Sequence, residues 1–539
     1  MNKQHVSKFI ILVLVVALAT VACGGAAATE EPQELESNGP DVPMEAPVEE
    51  EEAAPAEEEW AAEEEPMEEA FSGAPPQQPP NDEPYPDTFF EDYGTNPFID
   101  TEDDHLSTFA LDVDTGSYTI ARRYIRDGYL PPADAIRVEE FVNYFDQGYE
   151  SPEDGKAFAI SMDGAPSPFT ETERYEMLRV GIQGFTIAPE DRKDASLTFV
   201  IDVSGSMDME NRLELVKDAL ELLVEQMRPS DTVGIVVYGS EARVVLEPTS
   251  GRDQEEILRA IKRLKPEGST NAEAGLKLGY KQALQAFNAE GVNRVVLCSD
   301  GVANVGNTGP ESIWDTIDGY ASEGITLTTV GFGMGNYNDV LMEQLADMGD
   351  GFYAYVDDIQ EADRLFNQNL VSTLQVIALD TKVQVDFNPE VVSRYRLVGF
   401  ENRAIADEDF RDNTVDAGEI GAGHSVTALY EVKLFPQASG EIATVYLRWE
   451  DPDNHEVIET NEYFYTGDLA ESFSAASPNF QLSVLVAEYA EILKGSYWAE
   501  GSTLAGVLED AERLSRFFDE DPDVYEFVEI LRKAVRISR

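Results

Sequence analysis

Leu197-Thr-Phe-Val-Ile201-Asp202-Val-Ser204-Gly-Ser206-Met207 is the stretch that decides how the rest of the chain is read. Residues 197–201 form an unbroken apolar run of β-branched and aromatic side chains, the pattern of a strand covered on both faces. The run stops at Asp202, and Gly205 lets the backbone turn sharply just beyond it. Open α/β sheets bind ligands at this place, outside the carboxyl ends of their strands. Asp202, Ser204 and Ser206 offer one carboxylate and two hydroxyls with no imidazole or thiolate beside them. That donor set suits a hard cation such as Mg²⁺. The same residues also fit a serine-rich turn that caps the following helix.

Two later segments bear on that choice. Thr270 stands before a helix in Gly268-Ser-Thr270-Asn-Ala-Glu-Ala-Gly-Leu276, and Asp300 ends a second buried strand in Val295-Val-Leu-Cys-Ser-Asp300. In this order the three elements resemble the metal-ion-dependent adhesion site of a von Willebrand factor type A domain. The resemblance implies that Ser204 and Ser206 ligate a divalent ion directly and Thr270 directly or through water. Asp202 and Asp300 then act mainly through water, and a partner protein's Asp or Glu completes the shell. Mg²⁺ is the ion implied, with Mn²⁺ or Ca²⁺ as substitutes. Mg²⁺ demands octahedral oxygen geometry and releases water reluctantly, so a site of hydroxyls and water-bridged carboxylates leaves one position open to an acidic side chain.

Strand and helix signals alternate around this point. Strands are expected at Leu197–Ile201, Thr232–Tyr238, Val292–Cys298, Thr326–Gly331 and Phe352–Val356, with an antiparallel strand at Ala242–Leu246. Helices are expected at Leu213–Met227, Asp253–Leu264, Ala272–Phe287, Glu311–Ser322, Asp339–Met348 and Gln360–Leu374. Such alternation predicts an α/β fold, a doubly wound, mostly parallel sheet with helices on both faces, over residues 194–376.

A chain of 539 residues exceeds one ordinary core. With 105 acidic against 38 basic residues its formal net charge is −67, which disfavours nucleic acid and favours cations or basic partners. Much of the charge is local. Phe9 to Ala121 contains no Lys or Arg, and Glu-rich runs at Glu49–Pro55 and Glu57–Pro66 cannot bury enough apolar surface to fold. Residues 23–104 therefore read as an extended spacer, whose glutamates could themselves compete for an open metal position.

At the amino terminus Lys3 and Lys8 precede the apolar run Phe9–Ala19, too short for a comfortable membrane span, so residues 1–22 read as a secretory signal. Cys23 follows Thr20-Val-Ala22 and precedes Gly24-Gly-Ala, which resembles the lipobox where bacterial lipoproteins are cut and acylated on cysteine. Thr20 departs from the usual leucine, which leaves plain secretion or an uncleaved anchor as alternatives. The resemblance implies a lipid-anchored protein on the extracytoplasmic face of the cell membrane. Cys298, the other cysteine, is expected on a buried strand.

Residues 105–150 carry Ser107-Thr-Phe-Ala-Leu-Asp112-Val-Asp-Thr115 and Arg137-Val-Glu-Glu-Phe-Val-Asn-Tyr-Phe145. These motifs resemble the N-terminal extension of a group of bacterial von Willebrand A proteins. Asp112-x-Asp114-x-Gly116-Ser117 suggests a calcium loop, but the twelfth position of an EF-hand would be Glu and here is Arg123. A turn that caps the next helix is the expected role. Residues 151–193 read as a β connector and 377–470 as a β-rich domain, an antiparallel sheet or sandwich. Residues 471–539 carry apolar stripes at helical spacing and resemble the C-terminal domain of the same bacterial family.

Little supports catalysis. His5, His105, His424 and His455 all lie far from Ser204 and Ser206 in the chain, and no Gly-x-Ser-x-Gly elbow surrounds either serine. Gly331-Phe-Gly333-Met-Gly335 lacks the spacing of a phosphate-binding loop, and Asp208 and Glu210 fit ordinary first-turn helix charges as well as outer carboxylates. The expectation is a surface-anchored, metal-dependent protein-binding module and not an enzyme. The runner-up is an assembly scaffold with a vestigial metal site, and an enzyme of another kind comes third.

Overall fold

The computed structural model describes residues 88–169, 175–301, 317, 319–334, 337–518 and 521–539. The expected signal segment, Cys23, the spacer up to residue 87 and most of the helix expected at Glu311–Ser322 lie outside the described residues.

The strands β1 (Ile99–Asp100), β2 (Leu106–Ala110), β3 (Phe158–Pro166) and β4 (Tyr175–Gly184) come first. A central group follows: β5 (Ala195–Asp202), β6 (Thr232–Tyr238), β7 (Ala242–Ser250), β8 (Val292–Ser299), β9 (Thr326–Phe332) and β10 (Tyr353–Val356). After them come β11 (Val376–Phe387), β12 (Val392–Val398), β13 (Gly418–Gly421), β14 (Ser425–Leu434), β15 (Glu441–Glu450) and β16 (Val457–Tyr465).

The central sheet runs β10-β9-β8-β5-β6-β7, parallel throughout except for the antiparallel edge strand β7. Every residue of β5 is buried, because its side chains feed two cores. Leu197, Phe199 and Ile201 pack with Leu213, Val216 and Leu220 of the helix Arg212–Gln226 on one face. Val200 packs with Leu276 and Tyr280 of the helix Ala272–Gln285 on the other. A strand covered on both faces needs apolar residues at consecutive positions, which is why its sequence shows no alternation. The α/β, doubly wound architecture read from the sequence is the one observed.

The flanking segments are interleaved. β4 pairs with β14 and β2 with β11, so strands before the central sheet are stitched into sheets built after it. One antiparallel sheet has the order β1-β12-β14-β4-β3, and a second has β13-β11-β15-β16 with β2 also on β11. They share a core of Val180, Ile182, Val383, Val385, Tyr430 and Val445, the sandwich packing of two sheet faces. Likewise the helices Gly116–Asp127 and Val138–Asn143 share a core with Pro478–Lys494, Leu504–Leu514 and Pro522–Ile537 through Tyr118, Phe141, Phe480 and Phe527. The helix Gly116–Asp127 also turns Ile120 and Tyr124 to the central sheet. There a Cβ at residue 116 would meet the Tyr353 ring at 2.5 Å, so only glycine permits this approach.

Two local expectations are corrected. Asp112 and Asp114 do not cap the following helix: Asp114 accepts the Tyr353 N–H at 3.1 Å, and Asp112 accepts the Asp114 N–H at 2.9 Å. The helix expected at Gln360–Leu374 is interrupted by a π turn at Arg364–Gln368, flanked by Ile359–Asp363 and Leu370–Leu374. From that turn the Arg364 guanidinium lies 3.9 Å over the Tyr144 ring and 2.7 Å from Asp523.

Arg122 joins three of these segments. It contacts Asp357 at 2.5 Å, Glu361 at 2.9 Å, Glu526 at 2.8 Å and the Tyr144 hydroxyl at 2.6 Å, with its own side chain 2% exposed. Burial pushes Asp357 up to about 6 even beside the guanidinium. Removing one partner of a buried ion pair strands the other charge. Arg122→Met is expected to cost roughly 3–5 kcal/mol in urea unfolding, whereas Arg123→Met, on an exposed pair, should cost under about 1 kcal/mol.

Candidate metal centre

Loops from three parts of the central domain meet at the carboxyl end of β5. Beyond Asp202 the Val203 N–H donates to the Tyr238 carbonyl at 2.9 Å, which ties this loop to the end of β6. Val203 accepts from the Glu267 N–H, and the Gly205 N–H donates to the Gly268 carbonyl at 3.2 Å, which brings in the loop before the helix Ala272–Gln285. Gly268 has φ +81°, and a Cβ there would lie 2.8 Å from the Ser240 nitrogen. Both facts call for glycine, and the tight fit fixes the loop that carries Thr270.

Four of the five expected ligands are linked by hydrogen bonds. The Ser204 N–H donates to Asp202 Oδ1 at 2.7 Å, Ser204 and Ser206 hydroxyls are 2.9 Å apart, and Ser206 donates to Asp300 Oδ1 at 3.1 Å. Ser299, one residue before Asp300, donates to Asp202 Oδ2 at 3.1 Å. Thr270 is half-buried in the adjoining loop, and its hydroxyl forms no hydrogen bond to the other four. Asn271 caps the next helix by accepting the Ala274 N–H at 3.1 Å. Asp208 is exposed, and Glu210 pairs with Arg123 at 3.0 Å, so neither reaches the site.

Arg212 belongs to the site and was not anticipated. It starts the helix Arg212–Gln226, is almost fully buried, and donates from Nη1 to Asp300 Oδ2 at 2.7 Å and from Nη2 to the Met334 carbonyl. Gly333, at φ +84°, makes room for it, since a Cβ would lie 2.4 Å from Arg212 Nε. A cation at a helix N-terminus is opposed by the helix dipole, so its position in the sequence was the available sign of a carboxylate partner.

Burial is the main cause of the electrostatics here. It pushes Asp202 up to about 6, with the Asp300 charge adding to it and the Ser204 and Ser299 hydrogen bonds working against it. Burial also raises Asp300, and Arg212 and Ser206 hold that rise down. Among the described residues no Lys or Arg pairs with Asp202, which is 0% exposed. Neighbouring ligands on an octahedral Mg²⁺ stand about 2.9 Å apart, given a bond length of about 2.05 Å. The Ser204–Ser206 separation of 2.9 Å fits that edge, and the oxygen-only donor set fits the ion's hardness.

This fold with this constellation defines a von Willebrand factor type A domain protein. Residues 196–368 match the family described as von Willebrand factor type A domain, and residues 85–177 match the one described as von Willebrand factor. Domains of this class are protein-binding and adhesion modules and often carry a divalent metal. The chain belongs to the YfbK family. Residues 372–537 match the family described as "Uncharacterized protein YfbK, C-terminal". The chain is 35% identical over 473 residues to "Uncharacterized protein YfbK" of Escherichia coli (strain K12), covering 83% of this chain and 80% of that protein. It is also 31% identical over 192 residues to "Uncharacterized protein sll0103" of a Synechocystis strain, covering 35% of this chain and 44% of that protein. A solved von Willebrand factor type A structure from Catenulispora acidiphila aligns at 15% identity and a TM-score of 0.38, over 64% of this chain and 79% of its own.

The raised Asp202 predicts a pH signature in chelator. A folded-state value above the unfolded one means that the folded chain holds an extra proton between about pH 4 and pH 6, and the stability this gives is lost as pH rises through 6. Asp202→Asn keeps the Ser204 N–H acceptor and removes the charge. The variant should exceed the parent in urea midpoint at pH 7, and the difference should close as pH falls toward 4.

Proposed function

We propose that this chain is a metal-dependent protein-binding module displayed outside the cytoplasm on a lipid anchor at Cys23. The observation that carries the binding half is Asp202, a buried carboxylate without a side-chain cation, set behind a pair of serine hydroxyls at octahedral spacing. Ser204 and Ser206 would hold Mg²⁺ directly, Thr270 directly or through water, and Asp202 and Asp300 would balance its charge from behind. The bound ion would supply an electrophilic position for the Asp or Glu of a partner protein. The rim suits such a partner. Gly205 is exposed, Ser206 is partly exposed, and Met209 beside them is 49% exposed, an apolar contact next to a polar anchor.

Binding rather than catalysis is supported by where the described histidines go. His105 meets Asp386 at 2.7 Å, His455 meets Glu450 at 2.5 Å, and His424 accepts the Gly421 N–H at 3.3 Å, so none of these three is paired with a serine of the site. The second reading, an assembly scaffold whose metal site is vestigial, is favoured by Arg212, which already places a cation on Asp300.

Magnesium titration by calorimetry separates the two readings. The metal-dependent reading expects saturable binding that Asp202→Ala abolishes while circular dichroism stays unchanged, together with partner capture in magnesium and none in chelator. Capture equal in magnesium and chelator, for parent and variant alike, would transfer the function to the scaffold reading.

The anchor rests on the basic start, the apolar run Phe9–Ala19 and Cys23. Cys23→Ala should move the protein from the membrane fraction to the soluble fraction or leave its precursor unprocessed. An unmodified mature chain that begins elsewhere, seen by mass spectrometry, would refute the anchor.

A further inference from the structure

The adhesion-type site leaves unexplained a second group of carboxylates, buried where the N-terminal region meets the central domain and the sandwich. Asp112, Glu139 and Glu140 each present a carboxylate oxygen within 4.8 Å of the other two. None is more than 5% exposed. Asp112 stands just before the helix Gly116–Asp127, and both glutamates lie on Val138–Asn143.

Guanidinium groups reach this triad only from its sides. Arg403 meets Asp112 at 3.0 Å but also serves Glu343 and Asp347 at 3.0 Å each, so it acts as the cation of the neighbouring carboxylates. Arg137 meets Glu140 and, at 2.5 Å, Asp339. Among the described residues no Lys or Arg pairs with Glu139. Its Oε2 accepts the Phe400 N–H at 2.9 Å, while Oε1, also buried, has no hydrogen-bond donor. The strongest charge acting on Glu139 is a further carboxylate, Glu401, whose Oε2 pairs with Lys494 at 3.0 Å while its buried Oε1 has no donor. Unsatisfied charged oxygens out of water are costly, and these two neighbours repel one another.

We propose that Asp112, Glu139 and Glu140 bind a calcium ion that ties the segment before the helix Gly116–Asp127 to the helix Val138–Asn143. Magnesium keeps several of its waters and takes one or two carboxylates, whereas calcium accepts an all-protein set of oxygens, so three carboxylates gathered out of water suit calcium. Oxygen donors alone, most of them carboxylate, suit a hard dication. Calcium gives Glu139 Oε1 its partner and adds to the positive charge that two shared arginines and Lys494 supply. Asp112 and the two glutamates belong to separate segments of the N-terminal region, so the site forms only as these pack together, and calcium affinity is folding stability.

The test uses the full chain carrying Asp202→Ala, which silences the serine site. The chain is equilibrated with calcium, passed through gel filtration in physiological salt to strip ions held loosely by acidic surfaces, and analysed for bound calcium and thermal unfolding. The proposal expects calcium to be retained stoichiometrically and the melting temperature to be higher in calcium than in chelator. It expects both effects to disappear on adding Glu139→Gln, with helix content unchanged. If Glu139→Gln does not fold, Glu140→Gln replaces it with the same expectation. An Asp202→Ala chain that retains no calcium and melts alike in calcium and chelator would overturn the proposal, leaving protons as what neutralises the triad. Undiminished calcium in the glutamine variants would overturn it equally.

Discussion

A carboxylate held out of water at the end of a central strand must be balanced by something, and Asp202 is the point from which the centre of this molecule is organised. β5 is flanked by β6 and β8 and covered on both faces, so its last side chain has no route to solvent. The loop beyond it folds back so that a backbone N–H and the Ser299 hydroxyl serve the carboxylate. Those same turns set two serine hydroxyls side by side, Ser204 buried and Ser206 partly exposed. Hydrogen bonds of this kind lower the cost of the buried charge without removing it. The proposed ion with oxygen ligands would remove it, and one physical requirement would then account for the strand, the turn and the donor set.

The same requirement recurs through the protein, because 105 acidic residues cannot all remain on the surface once segments interleave. The answers differ from place to place. At Asp357 Arg122, with Arg126 beside it at 3.0 Å, gathers the N-terminal helix, the central domain and the last helix. At Asp231 the cation is Arg192 at 2.5 Å, and its hydrogen bonds help hold that carboxyl below the usual range although burial opposes them. At Asp300 the cation is Arg212. Asp202 stands apart from all three in having hydrogen-bond donors but, among the described residues, no side-chain cation.

Local signals made the central domain legible. The apolar runs of β5 and β8 and the helical spacing after them are set by burial within a few residues of sequence, and Thr232–Tyr238 was bounded to the residue. The site residues were legible for the same reason, since Asp202 and Asp300 close their strands. What stayed hidden was set at long range. Nothing near Tyr175–Gly184 shows that it pairs with Ser425–Leu434, and nothing near Leu106–Ala110 indicates β11 as its partner. Asp112 and Asp114 looked like helix caps because their partners, Arg403 and the Tyr353 N–H, lie hundreds of residues away in the chain. Arg212 carries no local sign of which carboxylate it serves, because Asp300 follows another strand.

The central claim is that a divalent ion, and not Arg212 alone, completes the centre around Asp202. Crystals soaked in manganese and measured at its absorption edge test it directly, since anomalous scattering locates the metal without assumption. The account predicts an anomalous peak about 2.2 Å from both Ser204 Oγ and Ser206 Oγ, with Asp202 and Asp300 behind it. A map without a peak there, under a manganese concentration that saturates other sites, would contradict it.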